Sequence, residues 1–169
     1  MIREAKLSDF AAIAALEKQM TNMHGDAHPD VLWKERFNGD CTKSQDDFEE
    51  FFSDEEWNLV EGGIRRYKIF VFEENGDILG YCKTQAWDYE DNPVFCDARC
   101  LAIEDICVDE KSRGKGIGKQ LFNHAKAYAK KIGAVRLQLA VWDFNEGARK
   151  FYENLGMSAS LTYMHLKIE

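Results

Sequence analysis

The segment RGKGIGK at residues 113–119 constrains the fold most strongly, because it joins a strand-like apolar stretch to an amphipathic helical stretch. Glycine occupies every second position of this segment after Arg113. Glycine allows tight turns and close approach of a ligand, and the first amides of a helix attract anions. The sequence therefore predicts a strand, turn and helix unit that binds a phosphate group at the turn.

Two familiar nucleotide-binding motifs do not match this turn. A Walker loop has a glycine where Arg113 stands and a Ser or Thr where Gln120 stands. A dinucleotide fingerprint ends in a glycine where Lys119 stands, and no acidic residue follows about 20 positions later. Another phosphorylated ligand is therefore expected.

The charge of the chain is unevenly distributed. The total of 22 Lys and Arg against 30 Asp and Glu gives −8, which disfavours a nucleic-acid-binding function. Residues 111–136 nevertheless carry eight basic residues and no acidic one, whereas residues 1–110 carry a net −15. This window favours a compact polyanion, for which a phosphorylated small molecule is the leading choice, and a solvated helix face is the alternative.

The length of 169 residues and the 45% hydrophobic content predict a single domain over residues 1–169. No apolar run approaches the roughly 18 residues that a membrane span needs, and the start MIREAKLSDF lacks a signal-peptide core. We expect a cytoplasmic protein without a membrane partner. The five cysteines form no CxxC pair and predict free thiols, and the histidines lack metal-ligand spacing, so no metal is expected.

Periodicity and turn signals predict alternating strands and helices. The predicted strands are residues 1–5, two strands joined through Asn75-Gly76, and residues 100–108, 135–141 and 161–168. The predicted helices are one capped by Ser8, two short ones within residues 27–53 that are broken at 38–40, and two over residues 116–131 and 145–155. This order predicts a mixed α/β (α+β) fold.

One predicted strand, CLAIEDICVD at residues 100–109, contains a break in its alternation. Its apolar residues are odd-numbered before Glu104 and even-numbered after Asp105. One extra residue, a β-bulge, restores the inward face and leaves a backbone group unpaired. The same place carries two carboxylates with the chemistry of a general base, and a surface acid pair is the alternative, which would be favoured without the adjacent glycine-rich turn.

These motifs together resemble the acetyl-CoA-dependent N-acetyltransferases of the GNAT superfamily. The resemblance rests on IEDICVDEKSRGKGIGKQL and LQLAVWDFNEGARKFYENLGM and covers residues 99–160 in detail. It implies a mixed, mostly antiparallel twisted sheet flanked by helices, with a β-bulge that splays the central strands. It also implies acetyl-CoA as the co-substrate.

The resemblance carries functional residues over to matching positions of this sequence. In the family the glycine-rich turn binds the CoA pyrophosphate, which corresponds to Arg113, Gly114, Lys115, Gly116, Ile117, Gly118 and Lys119. The bulged strand holds the acetyl group and pantetheine, and an asparagine contacts the cofactor, which corresponds to Ile106, Cys107, Val108 and Asn145.

Two residues are implied as catalytic. Glu104 corresponds to the base that takes a proton from the amine, with Asp105 as the reserve candidate, and Tyr152 corresponds to the acid that protonates the thiolate. The alternative for Tyr152 is a core aromatic beside Phe151. Cys107 is interpreted as a small buried side chain, because direct transfer from acetyl-CoA needs no cysteine nucleophile.

The expected reaction is acetyl transfer to a primary amine of a small molecule or peptide by direct attack in a ternary complex. The acidic run at residues 46–56 would attract a cationic acceptor, and a solvated acidic helix explains the run as well. The alternatives in other classes are a non-catalytic acyl-CoA-binding or sensing module and a structural interaction domain. A homodimer through the C-terminal strand or the sheet edge stays open.

Overall fold

The computed structural model describes residues 1–27, 58–60, 63–89, 98–164 and 166. Apart from two short 3-10 turns at Leu7–Asp9 and Glu110–Ser112, these residues form strands and helices in the following order. The elements are β1 (Ile2–Glu4), α1 (Phe10–Ala27), β2 (Asn58–Val60), β3 (Gly63–Glu74), β4 (Asp77–Tyr89), β5 (Ala98–Val108), α2 (Ile117–Lys131), β6 (Arg136–Leu139) and α3 (Glu146–Asn154). The two short helices predicted within residues 27–53 lie, from residue 28 onwards, outside the described residues.

The six strands form one sheet in the order β1-β3-β4-β5-β6, with β2 paired to β3. Every neighbouring pair is antiparallel except β5 and β6, which are parallel. The predicted mixed, mostly antiparallel sheet is therefore confirmed. The sequence analysis missed β2, which is only three residues long.

Helices cover both faces of the sheet. Ile13 and Leu16 of α1 pack with Tyr81 and Cys107 in one buried cluster. A second cluster joins α2 and α3 to Cys82 and its neighbours on the sheet. Because successive strand residues point to opposite faces, adjacent residues of β4 enter opposite clusters, and α1 lies on the face away from α2 and α3.

The hairpin between β3 and β4 forms where Asn75-Gly76 predicts it. Both residues have positive φ, 54° for Asn75 and 90° for Gly76. A two-residue type I′ turn requires this conformation at both central positions, and Asn-Gly adopts it most readily.

The start of α1 differs from the prediction that Ser8 caps it. The 3-10 turn Leu7–Asp9 precedes the helix, and Lys6 occupies the N-cap position of that turn. The Asp9 carboxylate accepts a hydrogen bond from the Lys6 amide at 2.8 Å and two from the Arg3 guanidinium at 2.6 and 3.0 Å. An ionised carboxylate accepts more strongly than a serine hydroxyl, so Asp9 organises this turn.

The final strand predicted over residues 161–168 is wrong for the residues that the structure describes there. Residues 161–164 and 166 form no strand. The side chains of Leu161, Tyr163, Met164 and Leu166 are 70% to 93% exposed. The alternation of apolar and polar residues expresses only a preference for strand structure. A strand also needs a partner strand for its backbone groups, and this segment pairs with no strand among the described residues.

Helix α2 lies close to the sheet because β4 carries a glycine beneath it. A Cβ atom on Gly80 would lie 2.8 Å from the carbonyl oxygen of Cys107 and 3.2 Å from Cδ1 of Leu121. The apolar stripe predicted for this helix is confirmed, since Ile117, Leu121 and Ala125 are buried. The glycine thus sets how closely the helix approaches β5.

Three cysteines, Cys82, Cys100 and Cys107, are free and buried in the described part of the chain, as predicted. None of the described helices has the length and apolar character that crossing a bilayer demands.

Candidate active site

The predicted β-bulge is present in β5. Lys83 of β4 pairs with Asp105, and the next residue, Thr84, pairs with Ile103, so Glu104 has no partner on β4. The slip in the alternation thus marks a real extra residue. The side chain of Glu104 is exposed and that of Asp105 is half-buried.

Both bulge carboxylates lie on the α1 face of the sheet. Cys107 belongs to the cluster under α1, and Asp105 is two residues before it on the same strand. Ile103 and Ile106 belong to or pack against the cluster under α2 and α3. The residue after Ile103 and the residue before Ile106 therefore both point toward α1.

Beyond the bulge, the strands β5 and β6 separate. They pair only from Cys100 to Ile103 on β5, opposite Arg136 to Leu139 on β6. No described strand pairs with this edge of residues 105–108, where the Val108 carbonyl instead accepts a hydrogen bond from Arg113. The predicted splaying of the central strands is confirmed.

The glycine-rich turn follows this open edge and begins α2. Gly114 and Gly116 have positive φ, 79° and 78°, and Gly116 is the N-cap of the helix without any side-chain cap. The Gln120 amide makes an intrahelical bond to the Gly116 carbonyl, whereas the amides of residues 117–119 are the first of the helix and have no intrahelical acceptor.

Basic side chains surround these amides. Arg113, Lys115 and Lys119 are exposed. Positive charge, free amides and the helix dipole all favour an anion at this point. The turn therefore has the features of an anion-binding site, and the predicted phosphate contact stays a prediction.

The turn is fixed to the sheet and to α1 by hydrogen bonds. Arg113 Nε donates to the carbonyl of Val108 at 3.3 Å, and the Asp109 amide donates to the carbonyl of Leu79 at 3.0 Å. The Gln19 side chain donates to the Asp109 carboxylate and accepts from the Glu110 amide, both at 3.1 Å. Sequence reasoning missed Gln19, because no local pattern indicates a contact 90 residues away.

Asn145 is the N-cap of α3, and its side-chain oxygen accepts from the Ala148 amide at 3.0 Å. The predicted opening of this helix by Asn145 is confirmed. Its side-chain NH2 group still carries donors that this cap does not use. The cofactor contact of Asn145 stays a prediction.

Tyr152 of α3 is 9% exposed and packs in the cluster under α2 and α3. Its ring centroid lies 5.1 Å from that of Phe151 and 6.0 Å from that of Phe122. Burial first, and then electrostatic interactions with Cys82 and Asp105, raise the pKa of Tyr152 above its usual value of 10.0. The phenol is therefore a protonated donor at neutral pH, and it also fills the core as the alternative interpretation holds.

Cys107 has the properties of a structural thiol. It is 6% exposed, and its Sγ donates to the carbonyl of Leu16 at 3.4 Å. Burial raises the pKa of Cys107 to about 11, so the side chain is a neutral thiol near neutral pH. This confirms the interpretation of Cys107 as a small buried side chain.

The α1 face of β4 carries polar residues that the sequence analysis missed. Lys83 and Gln85 are buried, and Tyr81 is fully buried. The Gln85 amide donates to the Tyr67 hydroxyl, and Lys83 Nζ lies 5.6 Å from the centroid of the Tyr67 ring. Lysine and glutamine at alternate positions of an apolar strand are the signal that indicates a polar inner surface.

The described residues contain no group of three or more His, Cys, Asp or Glu side chains arranged to hold a metal ion. The features that stand together are instead the bulge, the open edge of β5, the glycine-rich turn and Tyr152. The two bulge carboxylates lie on one side of the open edge, and Tyr152 lies on the other.

Comparison with known families decides the class of this site. The model of the Acetyltransferase (GNAT) family matches residues 29–157. The chain belongs to the GNAT family. An uncharacterized N-acetyltransferase of Bacillus subtilis is 30% identical and matches 97% of this chain and 93% of its own length. Another uncharacterized N-acetyltransferase, from Lactobacillus delbrueckii subsp. lactis, is 32% identical. The match covers 53% of this chain and 51% of that relative, so this chain spans about half of its length.

A solved structure shares the same GNAT fold along its whole length. The tetramutant of the BH1408 protein of Bacillus halodurans is 28% identical, with a TM-score of 0.84 and 99% of both chains covered. Family membership and these relatives support acetyl transfer from acetyl-CoA to an amine as the general activity. The roles of the individual residues stay predictions.

Proposed function

We propose that this chain transfers the acetyl group of acetyl-CoA to a primary amine of a small molecule or peptide, by direct attack in a ternary complex. The observation that carries the proposal is the continuity of three features. The bulge in β5 begins an open strand edge, and that edge leads directly into the anion-binding turn. One extended ligand with a thioester at one end and a pyrophosphate further along matches this surface.

The residues of the turn suit the pyrophosphate of CoA. The amides of Ile117, Gly118 and Lys119 bind its oxygens, since they have no acceptor within the helix. Gly114 and Gly116 give the turn its left-handed backbone, and Arg113, Lys115 and Lys119 supply positive charge. A Cβ on Gly118 would meet Phe151 at 3.5 Å, an ordinary contact, so the turn lies beside α3 without a clash.

The open edge of β5 suits the pantetheine arm. Backbone groups of Ile106 and Val108 face this edge, because Cys107 between them pairs with Tyr81 of β4. They bond to the amides of the pantetheine arm and extend the sheet, as an added strand would. Asn145 at the start of α3 contacts the cofactor from the other side of the gap. Bound acetyl-CoA supplies the thioester, whose carbonyl lies next to the bulge.

The proton transfers follow from the positions of the acid and the base. Glu104 takes a proton from the amine, directly or through water, on the α1 side of the open edge. The backbone amide at Ile106 to Cys107 donates to the carbonyl oxygen as negative charge develops there. Tyr152 donates its proton to the departing thiolate from the opposite side. No acyl-enzyme is required, because the thiol of Cys107 is neutral and buried.

We propose a cationic amine as the acceptor. The support is the negative charge of Glu104 and Asp105 on the α1 face and the net −15 of residues 1–110. The streptothricin acetyltransferase of Streptomyces lavendulae is 35% identical over 50% of this chain and 40% of its own length. The L-ornithine N5-acetyltransferase of Arabidopsis thaliana is 39% identical over 38% of this chain and 28% of its own length.

Calorimetry and a thiol-release assay test this function. Acetyl-CoA is titrated into the purified protein, and release of free thiol is then followed across a panel of amines. Glu104→Gln and Tyr152→Phe are compared with two matched controls at exposed positions, Glu153→Gln and Tyr163→Phe. The proposal expects every variant to bind acetyl-CoA. Only Glu104→Gln and Tyr152→Phe are expected to lose the amine-dependent release of thiol.

The other outcomes are decisive as well. Binding without thiol release on a broad panel supports an acyl-CoA-binding or sensing module instead, which would need neither Glu104 nor Tyr152. Absence of binding overturns the assignment of residues 113–119 to the pyrophosphate.

A further inference from the structure

Tyr81 on β4 is buried, and its hydroxyl has no hydrogen-bond partner among the described residues. Its side chain is fully buried, at 0% exposure, in the cluster under α1. Within the described part of the chain, its hydroxyl is the one buried side-chain nitrogen or oxygen atom without a hydrogen bond. An unpaired buried hydroxyl costs about 1–3 kcal/mol, so phenylalanine would be the more stable residue here unless the hydroxyl has a function.

The strand register places this phenol beside Asp105. Tyr81 pairs with Cys107, and Lys83 pairs with Asp105, so Tyr81 and Asp105 are diagonal neighbours on adjacent strands. All four residues lie on the face of the sheet toward α1. They occupy the paired part of β4 and β5 between the bulge and the end of β5. Diagonal neighbours are within reach of an aromatic side chain.

Electrostatics agree with this placement. Burial, then the charge of Asp105 and then that of Glu17 on α1, raise the pKa of Tyr81 well above its usual value, with smaller effects from Cys107 and Cys82. The phenol therefore keeps its proton and can donate a hydrogen bond. The charge of Asp105 acts more strongly on it than that of Glu17.

The carboxylate of Asp105 has room to accept this hydrogen bond. It takes part in none of the hydrogen bonds or ion pairs that the described residues form. No polar contact with another described residue therefore fixes its side-chain torsions. The neighbouring Glu104 is exposed, whereas Asp105 is half-buried next to the phenol.

We propose that Tyr81 is a positioning residue for acetyl transfer. The phenolic O–H, which is unpaired among the described residues, donates a hydrogen bond to the Asp105 carboxylate when the acceptor binds. It then holds that carboxylate on the α1 side of the bulge, where the carboxylate binds the ammonium group of the acceptor. The inference rests on the proposed function and deepens it, because it assigns the acceptor side of the same site. Glu104 keeps its role as the base.

Steady-state kinetics of a double-mutant cycle tests the pair. Tyr81→Phe is expected to raise KM for the amine about 10-fold while the Kd for acetyl-CoA stays unchanged. Asp105→Asn raises the same KM, and the double variant is no worse than Asp105→Asn alone, because the two residues act as one unit. Additive effects, or an unchanged KM in Tyr81→Phe, overturn the proposal.

A structural role of Tyr81 predicts different results. If the hydroxyl only filled space, Tyr81→Phe would remove an unsatisfied group and leave the kinetics unchanged. The proposal instead expects a higher KM together with a Tm that does not fall. The matched control is Tyr128→Phe, since Tyr128 is half-buried on α2, on the opposite face of the sheet, and keeps its ring contact with Phe70. A fall in Tm that accompanies the higher KM overturns the positioning role.

A spectroscopic measurement separates failure of this inference from failure of the proposed function. The 13Cζ resonance of Tyr81 reports the hydrogen bond of its phenol without any turnover. A substrate amine added without acetyl-CoA is expected to shift this resonance in the unmodified protein, in Glu17→Gln and in Glu104→Gln, but not in Asp105→Asn. A shift that is lost in Glu17→Gln instead, or that neither Glu17→Gln nor Asp105→Asn changes, overturns the pairing even if every amine is acetylated.

Discussion

The side-chain amide of Gln19 on α1 donates to the carboxylate of Asp109, at 3.1 Å and 90 residues away in sequence. The oxygen of the same amide accepts from the backbone of Glu110, also at 3.1 Å. Asp109 in turn accepts from the Lys111 amide at 3.1 Å. One side chain of α1 thus fixes the point where β5 enters the glycine-rich turn.

We expect Gln19→Ala to weaken acetyl-CoA binding several-fold and to lower the free energy of unfolding by about 1–2 kcal/mol, since two hydrogen bonds are lost. Calorimetry and urea unfolding measure the two effects. Gln138→Ala is the matched control, because Gln138 is exposed on β6. A loss of stability with unchanged affinity would show that Gln19 does not position the turn.

Gly116→Ala tests the backbone of the turn. The φ of Gly116 is 78°, and a Cβ there would meet no atom within 4 Å, so the change adds backbone strain without a clash. We expect a loss of about 1–2 kcal/mol of stability and at least about tenfold weaker acetyl-CoA binding. Gly133→Ala, at φ 74° beyond the other end of α2, should cost similar stability and leave binding unchanged. Equal losses of affinity in both variants would contradict a specific role of the turn.

The parts of the fold that the sequence predicted are those with a local signal. The bulge was readable because one extra residue reverses the inward alternation around Glu104 and Asp105. The hairpin at Asn75-Gly76 was readable because few residue pairs adopt positive φ twice. The turn at residues 113–119 was readable because its glycines stand between a strand pattern and a helix pattern.

The parts that were missed depend on contacts distant in sequence. The partner of Gln19 is 90 residues away, and the burial of Tyr81 depends on α1 and on the register of β4 with β5. The prediction of a final strand was wrong for a related reason. The alternation of residue types near Tyr163 does not show whether a neighbouring strand is present to pair with. The cap of α1 failed because Arg3 from β1 makes Asp9 a better acceptor than Ser8.

Asp9→Asn tests that last contact through its pH dependence. The hydrogen bonds from Arg3 hold the pKa of the Asp9 carboxyl below its usual 3.8, which outweighs the opposing effect of burial. A lowered pKa contributes stability that is present above 3.8 and is lost as the pH falls through the folded-state value. We expect the variant to be about 2 kcal/mol less stable near neutral pH, and the difference to shrink below 3.8. Urea unfolding at several pH values measures the difference in the free energy of unfolding between the two proteins. The control Asp77→Asn, at an exposed position, should show no such difference. A difference for Asp9→Asn that does not depend on pH would contradict the mechanism.

Tyr152→Phe tests the proposed acid, and the pH profile of the unmodified protein tests it independently. Burial raises the pKa of Tyr152 above 10.0, so the phenol stays protonated and able to donate up to at least that pH. The rate constant kcat should therefore show no alkaline decline from this group below about pH 10.

Tyr152→Phe should lower kcat at least about tenfold with an unchanged Kd for acetyl-CoA, because only the proton for the thiolate is lost. A thiol with a lower pKa on the leaving group needs that proton less, so an acetyl thioester of such a thiol should narrow the difference in kcat between the two proteins. An equal difference for both thioesters would show that Tyr152 serves the core rather than the departing thiolate.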